Sequence, residues 1–346
     1  MEEKKKVLLL AGGGTLGSYT ALELLKAGCS VDVVCMEEIR SYQKNLRYIR
    51  AKIDEAFLHE FLGGRRYDAI VDFLHYTNVK EFPRKFDFLC SRTDRYVFLS
   101  SYRVYADEEH PVRETSPQLL DTVGRTGLLA RDTYGLTKSE NERYIRVSPH
   151  KNWTIVRPLI SFSRFRFDLV TLGGLHLIPR YLAGKELLLP EEARDKHAAL
   201  GWAGNVGMLI ARLLFAPEAE GEDFIVGNDE NLTWEEIAQI YHEVMGLRFR
   251  WVPAELYLQV CTGNSDGDRI ILLHDRLYDR EIDNEKVRRV THTNREEFVP
   301  FREALMCELA RLSDSEESVK RFTETEVSYR INRQMDAWFA AHPQSE

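Results

Sequence analysis

Three glycines near the amino terminus constrain the fold of this chain most strongly. Gly12, Gly14 and Gly17 follow the apolar run at residues 6–11 and precede a stretch of helical spacing that closes at Gly28. Glycines at this spacing permit a tight turn and let backbone N–H groups approach a pyrophosphate, whose charge a helix amino terminus favours. Between a strand and a helix, the motif predicts a Rossmann unit that binds a dinucleotide. A plain glycine-rich turn is the alternative.

The rest of the chain divides into a regular first half and a less regular second half. Further apolar runs at residues 31–35, 67–73, 95–100 and 153–158 are separated by helical or irregular segments, which indicates a parallel sheet buried on both faces. We therefore predict an α/β fold, with a doubly wound Rossmann sheet in residues 1–160 and a smaller C-terminal α/β substrate lobe with a helical tail in residues 161–346. Re-entry of the chain into the first domain is left open.

Two helices are predicted in the second half. Thr233 stands at the N-cap position of residues 233–246, with Glu236 three residues on, which is the pattern of a capping box. The tail, residues 329–341 in particular, also has helical character.

The amino-acid composition limits the kinds of partner and location that we expect for this protein. The 346 residues carry a net charge of −8 with both signs interspersed, which argues against nucleic acid as the main partner. No window approaches the ~18 apolar residues of a membrane helix, and the charged start does not resemble a signal peptide. The five cysteines are scattered without metal-ligand spacing, so we expect no metal site and a reduced, cytoplasmic protein.

A serine, a tyrosine and a lysine form the candidate catalytic set. Tyr134 and Lys138 are four residues apart in a stretch of helical character, so their phenol and ammonium groups can point into one cleft. A nearby cation favours the phenolate form, and such a tyrosine can exchange the proton that accompanies hydride transfer at a carbinol. Ser101, just beyond the strand at 95–100, would hydrogen-bond the same substrate oxygen.

In its glycine turn and its serine, tyrosine and lysine, the chain resembles the extended and atypical short-chain dehydrogenase/reductases, in particular the NAD-dependent epimerase/dehydratase branch. The matching segments occur in the family's order: 11–17, 67–72, 100–105, Tyr134 with Lys138, and 156–158. The resemblance covers most of the chain and is fainter in the second half. It implies an NAD(P)-dependent oxidoreductase or epimerase that acts on a hydroxyl or ketone of a small molecule, such as a nucleotide-linked sugar. It also implies a homodimer formed through Rossmann helices.

The resemblance assigns roles to individual residues. Tyr134 would be the catalytic acid/base, Lys138 would bind the nicotinamide ribose, and Ser101 would orient the reacting oxygen. The cofactor would be bound by Gly12, Gly14, Thr15, Leu16, Gly17, Glu37, Asp54, Phe73, Leu74, Lys138 and Pro158.

The residues after the second strand do not decide whether the cofactor is NAD or NADP. Either Glu37 or Glu38 could accept a hydrogen bond from the adenosine ribose, which favours NAD, whereas the nearby Arg40 suggests NADP. All three could instead be solvated charges of a loop. By the resemblance, Asp54 would hold the adenine. Arg164, Arg166 and Arg180 fall where the substrate lobe begins and would clamp a diphosphate or carboxylate, although a basic surface stretch would look the same.

Several positions depart from the family's pattern. Ala11 replaces the usual first glycine, Cys35 the aspartate after the second strand, and Asn205 an aspartate of the second lobe. Tyr102 and Arg103 follow Ser101 where sugar 4,6-dehydratases carry an acidic pair, which counts against a dehydratase. Bulky residues stand where small ones are usual after the strand ending at 72, namely Phe73, Leu74 and His75.

These departures motivate an alternative function. A dinucleotide-binding regulator or an RNA-associated protein could keep the fold and lose the chemistry. His75 follows a strand end that faces the expected cleft and could act as an acid or base, whereas His110 is expected in a solvated loop.

Overall fold

The computed structural model describes residues 4–122, 132–314 and 316–343. Its strands are β1 Lys6–Leu10, β2 Ser30–Cys35, β3 Leu46–Arg50, β4 Tyr67–Asp72, β5 Thr93–Leu99, β6 Trp153–Pro158, β7 Ile160–Phe162, β8 Asp168–Leu169, β9 Leu172–Gly173, β10 Leu187–Pro190, β11 Leu200–Trp202, β12 Glu222–Val226 and β13 Phe249–Val252. A seven-stranded parallel sheet has the order β12-β6-β5-β4-β1-β2-β3. The predicted strands and the predicted Rossmann sheet are thus confirmed.

Helices surround this sheet and build the C-terminal lobe. They are α1 Thr15–Lys26, α2 Glu55–Leu62, α3 Phe82–Ser91, α4 Leu119–Thr122, α5 Thr133–Val147, α6 Gly174–Leu182, α7 Ala203–Leu213, α8 Trp234–Met245, α9 Ala254–Cys261, α10 Asp266–Ile271, α11 Glu285–Thr291, α12 Phe301–Ser313, α13 Glu316–Thr323 and α14 Glu326–Ala341. No helix in the described residues is long and apolar enough to cross a membrane.

The central strand shows why the sheet is covered on both faces. Val7, Leu8, Leu9 and Leu10 are all fully buried. Because side chains alternate along a strand, Val7 and Leu9 join the apolar cluster on one face while Leu8 and Leu10 join the cluster on the other. Each such leucine stabilises the fold by about 1.5–3 kcal/mol relative to an exposed one.

The order of the strands determines where a ligand can bind. From β1 the chain runs outward through β2 and β3, and it then returns to form β4 on the other side of β1. In open parallel sheets, ligands bind at the carboxyl ends of the strands where the order reverses. The glycine turn after β1 and the loop after β4 both lie at this edge.

The chain re-enters the sheet after residue 160. Strand β12 pairs with β6, and α7 packs closely on α1, where a Cβ atom at Gly207 would lie 2.8 Å from the backbone nitrogen of Thr20. The Rossmann sheet is therefore not built from residues 1–160 alone. In the lobe, α8 has the predicted capping box of Thr233 and Glu236, and it ends at Gly246 with a left-handed φ of 69°.

Candidate functional site

The glycine turn leaves the amino end of α1 open. Gly14 occupies the N-cap without a side-chain cap, and a Cβ atom at Gly14 would meet nothing within 4 Å. A Cβ atom at Gly17, in contrast, would overlap the backbone of Gly12, so only glycine lets the helix approach the turn this closely. The amino end of α1 thus has no side-chain cap and has free space beside Gly14, which suits a phosphate group.

Ala11 adopts a backbone conformation that is more usual for glycine. Its φ of 54° lies in the left-handed region, which favours glycine because a Cβ atom is strained there. An alanine thus stands at a position whose backbone glycine would adopt without this strain.

Of the two acidic residues after β2, the structure brings Glu37 to the turn. A Cβ atom at Gly13 would lie 2.7 Å from Oε2 of Glu37 and 2.9 Å from Cβ of Cys35. Glu38 instead pairs with Arg50 at 3.4 Å. Burial and the charge of Glu37 raise the pKa of the Cys35 thiol, so Cys35 is neutral and does not supply the negative charge of the aspartate that it replaces.

The other predicted cofactor residues have separate local roles. Asp54 is the N-cap of α2, and its Oδ1 accepts from the Phe57 N–H at 2.9 Å. The Phe73 N–H donates to the Leu10 carbonyl at 3.0 Å, so the loop after β4 continues alongside the end of β1. Pro158 is buried at the end of β6, where it pairs with Val226 of β12.

Lys138 lies at the carboxyl ends of β4 and β5. Its side chain is 3% exposed, and Nζ donates to the Leu99 carbonyl at 2.5 Å and to the Leu74 carbonyl at 3.4 Å. Burial lowers the pKa of Lys138 to about 8, while the negative charges of Asp72 and Glu142 oppose this effect. The ammonium group is thus held at the edge of the sheet where ligands bind in such folds.

Tyr134 lies one helical turn before Lys138, between two other side chains. The centroid of its ring is 5.1 Å from that of His75, and the guanidinium carbon of Arg103 lies 5.2 Å from it. Its hydroxyl forms no hydrogen bond within residues 4–122, 132–314 and 316–343. Burial and the charge of Lys138 lower the pKa of His75, so this imidazole is neutral at pH 7.

Ser101 begins the short 3-10 helix Tyr102–Val104. Its Oγ accepts from the Arg103 N–H at 3.3 Å. This contact uses the oxygen as an acceptor and leaves the hydroxyl hydrogen able to donate to a substrate oxygen. Ser100, its neighbour, instead donates to Oε1 of Glu142 at 2.5 Å.

Comparison with known proteins identifies the fold through solved structures and not through sequence. Neither a family model nor a curated protein matches the sequence. Among solved structures, an epimerase from Methanothermobacter thermautotrophicus superimposes with a TM-score of 0.72 at 16% identity, covering 92% of this chain and 95% of that one. The fold is that of the short-chain dehydrogenase/reductases.

Two further structures with this fold contain a cofactor. A short-chain dehydrogenase/reductase superfamily protein from Agrobacterium tumefaciens with bound NAD has a TM-score of 0.63 and 17% identity, over 91% of this chain and 99% of that one. The UDP-glucuronic acid 4-epimerase from Bacillus cereus in complex with NAD has a TM-score of 0.66 and 13% identity, over 92% and 100%. The resemblance inferred from the sequence is confirmed at the level of the fold.

The three arginines that the sequence predicts as a substrate clamp have different surroundings in the structure. The loop that carries Arg164 lies beside α1, because Oγ of Ser163 is 3.2 Å from Oγ1 of Thr15. Arg166 is exposed and pairs with a neighbouring carboxylate, Asp168, at 2.6 Å. Arg180 is 2% exposed and donates to Asp336 of α14 at 3.0 Å, so its charge holds the C-terminal helix.

Sequence reasoning missed two buried arginine networks. The Arg157 guanidinium is fully buried and binds Glu142 at 2.6 Å and Asp223 at 2.7 Å. An arginine inside an otherwise apolar strand was the available signal. Arg103 binds Asp132 at 2.9 Å and lies 3.4 Å from Asp275, and no local pattern linked these residues.

Proposed function

We propose that this chain is an NAD-dependent oxidoreductase or epimerase that moves a hydride at a hydroxyl or ketone, with Tyr134 as the acid/base. The observation that carries the proposal is the buried ammonium of Lys138, held at the ends of β4 and β5 one helical turn from Tyr134. Burial of a lysine is costly unless its charge has a use or a partner. The nearby open amino end of α1 supplies the place for a dinucleotide.

The residues around the glycine turn fit NAD. The uncapped amino end of α1 fits a pyrophosphate, and the carboxylate of Glu37 beside Gly13 fits a ribose hydroxyl. A negative charge there would repel the additional phosphate of NADP. Among the residues that the structure describes, Glu37 and not Arg40 lies against the turn, so the geometry favours NAD over NADP.

The side chains divide the chemistry between them. A bound nicotinamide supplies or accepts the hydride. Tyr134 takes the proton of the substrate hydroxyl during oxidation and returns it during reduction. Lys138 stabilises the negative charge that develops on the Tyr134 oxygen, and Ser101 donates to the same substrate oxygen. Arg103 stands beside Tyr134 where the resemblance places an acidic residue of dehydratases, which favours epimerisation or reduction over dehydration.

A nucleotide-linked sugar is the proposed substrate class. The Bacillus cereus structure with this fold is a UDP-glucuronic acid 4-epimerase. Arg164, whose loop lies beside the amino end of α1, is the best placed of the three arginines to contact a diphosphate. The homodimer and the cytoplasmic location remain predictions, and sedimentation tests the dimer.

The test begins with titration of NAD+, NADH, NADP+ and NADPH by calorimetry, followed by turnover of UDP-glucose and UDP-glucuronic acid. We expect NAD+ and NADH to bind, and Tyr134→Phe to lower turnover by about 10²-fold or more because the acid/base is lost. Tyr144→Phe is the matched control, since Tyr144 lies on the same helix and contacts Asp87 instead.

Two outcomes would contradict the proposal. Wild-type turnover by Tyr134→Phe would exclude this mechanism. Failure of all four nucleotides to bind would exclude the enzyme, and the non-catalytic regulator or RNA-associated protein would then be the better hypothesis. RNA binding that weakens with salt would support that alternative.

A further inference from the structure

The C-terminal lobe reaches the candidate site through one buried group of charges. The π-helical turn Leu272–Arg276 carries Asp275, which is 2% exposed and whose Oδ1 accepts from the Tyr102 hydroxyl at 2.8 Å. Arg276 donates to the same hydroxyl at 2.8 Å and to the Val170 carbonyl at 2.8 Å. The turn of the lobe is thus fixed to the residue that follows Ser101.

Arg103 carries this connection to Tyr134. Its Nε lies 3.4 Å from Oδ2 of Asp275, and its Nη2 donates to Asp132 at 2.9 Å. Its guanidinium carbon lies 5.2 Å from the centre of the Tyr134 ring, a cation–π distance. Asp132 also caps α5, since its Oδ1 accepts from the Gly135 N–H at 3.1 Å.

The charges in this group depend on one another. Asp275 and Asp132 face the same guanidinium, and the side chain of Arg103 is only 17% exposed. Arg103 is shared between two carboxylates, so a displacement of Asp275 removes one of them and should shift the guanidinium toward Asp132. Since Arg103 contacts the Tyr134 ring and the residue that caps its helix, Tyr134 must respond too.

The local backbone indicates that the turn is specialised for this contact. Its residue His274 departs from helical geometry, with a φ of −118° and a ψ of 19°. Turns of π-helix are rare and concentrate at functional sites. Here the wider turn lets the side chains of successive residues, Asp275 and Arg276, both reach Tyr102.

We propose that Asp275 and Arg103 are positioning residues through which the C-terminal lobe fixes the orientation of Tyr134. The catalytic meaning rests on the proposed function, because it takes Tyr134 as the acid/base. The physical coupling between lobe and ring does not, and it can be measured without a substrate. Seating of the substrate lobe thereby sets the position of the group that exchanges the proton.

The first experiment places 3-fluorotyrosine at position 134 of the full chain and records its fluorine NMR signal. Asp275→Asn keeps the size of the side chain and removes its charge, so we expect the signal to shift or broaden. Asp336→Asn is the matched control, because it removes the carboxylate that faces Arg180 in the same lobe. The control should leave the signal unchanged.

Further variants make the result decisive. Asp275→Glu retains the charge and should restore part of the wild-type signal. If Asp275→Asn does not fold, Tyr102→Phe removes the hydroxyl that binds both Asp275 and Arg276, while the ion pair between these two residues remains. Loss of this contact releases the turn that carries Asp275 to Arg103, so the signal of Tyr134 should again shift or broaden. A folded Asp275→Asn or Tyr102→Phe protein whose signal coincides with that of the wild type would overturn the proposal.

Turnover separates the two proposals. With a nucleotide sugar that the wild type converts, Asp275→Asn should lower kcat by about tenfold, while KM and the affinity for NADH stay unchanged. A purely structural role would lower the folded fraction and leave kcat per folded molecule at the control's value. A wild type that neither binds NADH nor turns over would refute the proposed function, and the fluorine signal would still decide the coupling.

Discussion

Replacement of Lys138 by methionine tests whether burial of the Lys138 charge lowers the stability of the folded chain. The pKa of Lys138 falls from an ordinary value of 10.5 to about 8 through burial, and Nζ is held by two backbone carbonyls. At about 1.4 kcal/mol for each pKa unit, the charged folded form is disfavoured by about 3 kcal/mol. Replacement by methionine removes this cost, but it also leaves the two carbonyls without their donor, which should destabilise the variant by about 1–3 kcal/mol. Lys138→Met should therefore be as stable as the wild type at pH 7, or more stable by up to about 2 kcal/mol.

The pH dependence gives the sharper test. The unfolded chain keeps the proton of Lys138 up to about pH 10.5, whereas the folded chain loses it near pH 8. The unfolded state therefore binds more protons between these values, and wild-type stability gains a contribution as the pH rises from 8 to 10.5. This contribution is absent from Lys138→Met, so the advantage of the variant should disappear at high pH.

Urea unfolding monitored by tryptophan fluorescence measures this difference from pH 7 to 10.5. Lys44→Met, at an exposed position, is the control and should change stability by less than about 0.5 kcal/mol. If Lys138→Met were destabilised by more than about 2 kcal/mol by the same amount at every pH, the argument from burial would be refuted. The variant should also lose turnover, since the cation beside Tyr134 is gone.

The remaining predictions concern the glycine turn. Ala11→Gly should raise the free energy of unfolding by about 1 kcal/mol, because it relieves a left-handed φ, and urea unfolding measures it. An unchanged or lower stability would show that the turn is not strained at this position. Glu37→Gln should improve the affinity for NADPH relative to NADH by about threefold to tenfold in calorimetry, because it removes a negative charge near the ribose. Glu38→Gln, which instead affects the contact with Arg50, should leave the ratio unchanged, and an equal effect of both variants would contradict the placement of Glu37.

The sequence predicted correctly those features that depend on interactions between neighbouring residues. The glycine spacing, the apolar runs and the capping box of α8 each act over a few residues, and the structure confirms all three. Tyr134 and Lys138 share a helix, so their spacing alone predicted that they lie one turn apart.

Contacts between distant segments could not be predicted in this way. Tyr102 and Asp275 are separated by 173 residues, and nothing in the pattern around either one indicates the other. Arg180 shows the same limit, since a buried arginine that holds α14 and a surface arginine that clamps a substrate have the same local sequence. The position of an arginine in the sequence does not reveal which carboxylate neutralises its charge.

The late entry of β12 into the sheet has a consequence for how this chain folds. Until residues 222–226 are in place, β6 is an open edge of six buried residues, and Arg157 lacks the carboxylate of Asp223. Exposed apolar edges recruit strands from other molecules, and pairings between distant segments form slowly. The first half of the chain therefore remains prone to aggregation during synthesis until part of the second half has left the ribosome. A fragment cut at residue 160 would keep this open edge permanently.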